Sequence, residues 1–105
     1  MKSVTSVSHN DCVIAMLKED PVFAAEYLKA AIEDEEEPGV LRIALRRIAE
    51  ARGGVTKVAV AAGVPRESLN RALSSRGATR LSTLQAVTKA VGMKLTVEPI
   101  TASRR

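Results

Sequence analysis

Arg66, Asn70 and Arg71 are spaced to share one face of a short helix, and their side chains are of the kind that read bases. The arginine fork of N–H donors matches guanine in the major groove, and an asparagine amide can pair with adenine. Glu67 can accept from cytosine or orient a neighbouring arginine. Lys57, Ser75, Arg76, Arg80 and Ser82 lie around this set and suit phosphates, which hold register without reading sequence. Thr56 and Ser68 complete the candidate DNA-contacting residues, and Thr56 can also cap the helix that it opens.

Other reactive groupings lead nowhere. His9, Asp11 and Cys12 are close in sequence, but no second cluster completes a metal coordination shell, and a terminus is a poor place to hold one. His9 is the only histidine, so no nucleophile–base pair can be assembled. The acidic run 33–37 spreads around a helix axis rather than converging on a metal or a substrate, which leaves it solvated or facing a partner. Neither catalysis nor a cofactor is expected.

The base-reading face needs a scaffold, and residues 55–74 (VTKVAVAAGVPRESLNRALS) spell one. Two short helices that cross tightly require a small residue at the crossing, which Ala59 supplies. Four residues on, the turn requires a positive φ, which Gly63 adopts without strain. Val58, Ala62, Val64, Leu69 and Ala72 fall where the pair must be buried. Pro65 can begin the second helix, where its missing N–H is not needed.

The remaining elements read as helices, apart from the C-terminal end. A short helix is predicted over 10–18, with Val13, Ile14 and Leu17 inward. Asp20-Pro21 starts a second, carrying Phe23, Ala24, Tyr27, Leu28, Ala31 and Ile32 at helical spacing. It fades in residues 33–39, where carboxylates crowd the negative end of the dipole and Pro38-Gly39 stops regular structure. A third helix covers 40–52, with Leu41, Ala44, Leu45 and Ile48 inward and Arg42, Arg46, Arg47 and Glu50 outward, and Gly53-Gly54 ends it. A last helix spans about 82–91; Ser82 and Gln85 have capping-box spacing, with Thr79 as a competing cap. Met93, Leu95 and Val97 then alternate with Lys94, Thr96 and Glu98 as a short strand ended by Pro99.

Composition narrows the function. The 105 residues suit one domain, or one small domain with an appended segment. Apolar residues reach 46%, but aromatics only 2% (Phe23 and Tyr27), so Ala, Val, Leu and Ile must build the core and no base-stacking surface is available. Cys12 stands alone, and neither a signal peptide nor a membrane span is visible, so a cytoplasmic protein is expected. The net charge of +4 conceals an asymmetry. Residues 1–37 hold three basic and nine acidic side chains, a net of −6, whereas residues 38–105 hold thirteen basic and three acidic, a net of +10. Such a chain suits two partners, a polyanion for the basic part and water or a basic protein for the acidic part, the alternative being that both are merely solvated surface.

The segment GGVTKVAVAAGVPRESLNRALS, followed by TLQAVTKAVGMKLTVEP, resembles the Xre-type, lambda-repressor-like helix-turn-helix. Together with VFAAEYLKAAIEDE and VLRIALRRIAEARGG, nearly the whole chain is similar to the addiction-module antidote family, relatives of HigA-type antitoxins. It departs from that pattern at Asn70, where relatives usually carry a bulkier residue, and at Ala78-Thr79, which replaces a common Asn-Pro turn. The resemblance implies a mainly all-α bundle of about five to six helices with a short C-terminal β-strand. Residues 1–37 would form an acidic segment facing a small basic RelE/ParE-like toxin through Val22, Phe23, Tyr27, Leu28 and Ile32, and residues 38–105 the DNA-binding domain. One recognition helix touches few base pairs, so a homodimer on a palindromic operator is expected. The competing expectations are a phage or mobile-element regulator without a toxin, and a protein-only adaptor with no salt-dependent affinity for DNA.

Overall fold

A computed structural model describes residues 8–34, 37–74 and 79–100, with the side chain of Pro38 left aside. Six helices follow one another: α1 (His9–Glu19), α2 (Pro21–Glu33), α3 (Pro38–Ala51), α4 (Val55–Ala62), α5 (Arg66–Ser74) and α6 (Leu81–Ala90). Ser75 and Arg76 lie outside the described residues. His9 and Cys12 both belong to α1, which starts one residue before the expected helix.

Local chemistry sets most of the boundaries. Ser8 caps α1 by accepting from Asp11 N at 3.0 Å. The Asp20 carboxylate accepts from the N–H groups of Val22 and Phe23 at 3.0 Å each, and Pro21 opens α2 as expected. The same proline rule corrects the reading of Pro38-Gly39. These residues form the first turn of α3 instead of ending structure, because proline at the first position gives up only an N–H with no helical acceptor. Neither Ser82 nor Thr79 caps α6. Arg80 occupies that position without a side-chain cap bond, and the helix is placed by burial of Leu84 and Val87.

α3 is the hub, with α1, α2, α4, α5 and α6 all packed against it. Ala44, Leu45, Ile48, Ala49 and Ala51 are its buried residues, and they join Leu17, Leu28, Val58, Leu69, Leu73 and Val87 from the surrounding helices in a single core. Alanine at these contacts lets helix axes approach closely, which suits a core almost without aromatic rings. Phe23 and Tyr27 pack at its margin with ring centroids 5.9 Å apart. Leu73, absent from the expected inner stripe, is fully buried, whereas Ala72 is only half-buried; α5 therefore turns its 69/73 edge inward.

The expected strand at 93–98 is not formed, and there is no strand among the described residues. The segment is extended, and Met93 and Leu95 pack on the core, but the alternating pattern selects only a backbone shape. A strand also needs a neighbour to hydrogen-bond, and none lies beside it among the described residues. The segment is tied back by Lys29 Nζ on Glu98 Oε2 at 3.0 Å, a hydrogen bond and charge contact that raises the lysine pKa above its ordinary value. No helix among the described residues is long and apolar enough to cross a membrane.

Two substitutions test these local determinants. Gly63 holds φ at +73° with nothing within 4 Å of an added Cβ, so Gly63→Ala measures backbone strain alone. It is expected to lower unfolding stability by about 1–2 kcal/mol, and Asp20→Ala by about 1 kcal/mol, both read from urea midpoints.

Candidate nucleic-acid interface

α4 and α5 form a helix–turn–helix pair closed by backbone geometry. Gly63 takes the left-handed conformation, its N–H donates to Val60 O at 3.1 Å, and Val64 N donates to Ala59 O at 3.1 Å. This six-to-one bond turns the chain sharply before Pro65, whose carbonyl accepts from Leu69 N at 3.1 Å as α5 begins. Ala59 is 1% exposed and half-buried Val64 packs against the core, so the small residue and the turn sit where the pair meets the body.

With Leu69 and Leu73 buried, the opposite face of α5 is committed to solvent. Arg66, Glu67, Ser68, Asn70 and Arg71 are all exposed, as are Thr56 and Lys57 on α4 and Arg80 and Ser82 around the start of α6. One polar surface therefore brings together side chains from α4 and α5.

Its side chains are partly pre-positioned. Arg66 Nε donates to Thr56 Oγ1 at 2.8 Å, a bond between the two helices of the motif. Thr56 accordingly does not cap α4. That position belongs to Gly54 at φ +104°, a conformation open to glycine, and no side chain bonds there. Because the contact uses Nε, the far edge of the guanidinium keeps the two-donor geometry that matches guanine O6 and N7.

Arg46 of α3 is the residue that sequence reading missed. Its terminal nitrogen donates to Ser74 Oγ at 2.7 Å and, over a longer 3.4 Å, to Asn70 Oδ1. The first is a strong charge-assisted bond and the second is near the outer limit. Together they brace the exposed polar face of α5 from the side. Arg46 was expected to face outward. It is half-buried instead, as are Arg42 and Arg47, because five helices pack on α3 and long arginine stems fill the gaps between them, leaving Ile43 and Glu50 on its exposed side. No local signal at residue 46 points to a partner 24 or 28 positions away.

The proposed partner-facing residues divide. On α2, Val22 is 72% exposed and Ile32 is exposed, Phe23 and Tyr27 are half-buried, and Leu28 lies in the core at 3% exposure. Leu28 therefore supports the helix rather than offering surface. Arg47 anchors this region by donating to Tyr27 OH at 2.9 Å and to Asn10 Oδ1 of α1 at 2.7 Å. Among the described residues, no group of three or more His, Cys, Asp or Glu side chains is placed to hold a metal ion.

The bracing contact is measurable. A double-mutant cycle of Arg46→Ala and Ser74→Ala should give a coupling of about 1 kcal/mol in urea unfolding; additive single mutants would show that the bond contributes nothing.

A family model described as probable addiction module antidote protein matches residues 8–99. No curated protein matches the chain, and no solved structure does.

Proposed function

The chain belongs to the probable addiction module antidote protein family, and we propose that it is an antitoxin that also represses its own operon. In this reading, α4 and α5 grip operator DNA, with Arg66, Asn70 and Arg71 reading bases. Lys57, Arg80 and Ser82 hold phosphates, and two copies act together on a palindromic site. The acidic N-terminal helices, through Val22, Ile32 and the edges of Phe23 and Tyr27, face a small basic RelE/ParE-like toxin.

The observation that carries the DNA reading is the division of α5. Leu69 and Leu73 are buried while every candidate base-reading side chain is exposed, on the turn geometry that such a motif requires. The net +10 of residues 38–105 supports a polyanionic partner, and the net −6 of residues 1–37 supports a basic one. Family membership supports a toxin, since an antidote implies something to neutralise. The exposed charge on the polar surface is also what separates this reading from a protein-only adaptor.

Charge reversal of the exposed pair, Arg66→Glu with Arg71→Glu, should abolish the mobility shift of the chain's own upstream promoter while leaving circular dichroism unchanged. Retained binding would refute the assigned face. Lys57→Ala should weaken binding on all sequences and reduce the salt slope by about 0.9 for one lost phosphate contact. Co-expression with the protein encoded next to it tests the other partner: co-purification that Val22→Asp prevents is expected, and the absence of any complex would leave a regulator without a toxin.

A further inference from the structure

The segment after α6 is built like a strand but has no strand to pair with among the described residues. Beyond Met93 N, which donates to Thr88 O at 2.8 Å, the backbone groups from Lys94 to Glu98 make no hydrogen bond to any described residue. Leu95 packs on the core, yet Val97 two residues on, along the same face, is 96% exposed. Between this segment and α2 runs a groove of about 730 Å³, with Val22, Ala25 and Ile32 on its α2 side. An open backbone edge beside exposed apolar groups is a template for a further strand.

We infer that the added strand is residues 93–98 of a second copy, paired antiparallel about Thr96. The inference rests on the dimer proposed above and names its contact. A two-fold axis through an antiparallel pair must pass between identical residues, which leaves few registers. Centred on Thr96, Lys94 faces Glu98 of the second copy and Glu98 faces Lys94, so two opposite-charge pairs form per dimer. Centred on Leu95 or Val97, neither charge meets its opposite. Centred on Lys94 or Glu98, like charges collide.

The proline fixes the remaining choice. If Lys94–Glu98 and Thr96–Thr96 are the hydrogen-bonded pairs, residue 99 points its backbone away from the ladder, and Pro99 loses no bond through its missing N–H. Leu95 then meets Val97 of the second copy in the closer, non-hydrogen-bonded pairs. The axis stands perpendicular to the ribbon, so Leu95 and Val97 of both copies lie on one face, toward the two apolar grooves. Glu98 keeps Lys29 on its own chain and gains Lys94 from the other.

Sedimentation equilibrium on the full chain tests the register through two exposed substitutions. Lys94→Glu and Glu98→Lys, each alone, place like charges opposite one another and should weaken dimerisation about tenfold. Mixed in equal amounts, they should restore a one-to-one heterodimer near wild-type affinity, because every cross-strand pair is again of opposite charge. The Lys29 contact stays lost on the Glu98→Lys chain in the mixture, so recovery reports the contact between chains. A wild-type chain that is monomeric throughout, single variants that dimerise like wild type, or a mixture as weak as its components would each overturn the inference. Promoter binding and toxin capture, measured on the same wild-type sample, keep the two readings distinct. Both persist if only this contact is wrong, and both fail if the antitoxin reading is wrong.

Discussion

The whole arrangement depends on the central packing of α3. All five other helices lean on it, and Ala44, Leu45, Ile48 and Ala49 leave no room for a shift of even one methylene without repacking. A central helix still needs polar side chains to end its apolar stripe, and here arginines do so. Arg46 and Arg47 are adjacent in sequence but reach apart, one to Asn70 and Ser74 of α5, the other to Asn10 of α1 and Tyr27 of α2. The face proposed for DNA and the helices proposed for the toxin are thus braced from consecutive residues of one rigid element.

What could be read from the sequence was local. Asp20-Pro21, Gly53-Gly54 and Gly63 declare their structures through backbone chemistry that needs no tertiary context, and the structure has each of them in place. The exposed set on α5 was also legible, since Leu69 fixes one edge of a nine-residue helix and the polar residues must take the other. The all-helical architecture followed from the 3.6-residue period of the apolar positions.

What could not be read was decided by distant neighbours. Pro38 satisfies the rules for ending one helix and for starting the next, and only the docking of α3 chooses between them. Thr56 is a good cap by type, but the chain enters α4 through Gly54 and leaves its hydroxyl to Arg66, ten residues later. The arginines of α3 look solvent-facing on a helical wheel, which has no knowledge of helices approaching from both sides. The C-terminal segment has the residue pattern of a strand, but pairing depends on what lies beside it.

Tyr27 carries a consequence of a different kind. The chain has no tryptophan and this is its only tyrosine, so its intrinsic ultraviolet emission arises almost wholly from one ring. That ring packs at a tilt against Phe23 and its hydroxyl accepts from a guanidinium of α3, between the surface proposed for a protein partner and the core. The molecule therefore contains a built-in optical reporter at the joint between its two charge regions. Label-free spectroscopy on the natural sequence would register a disturbance of that joint as a change at a single known chromophore.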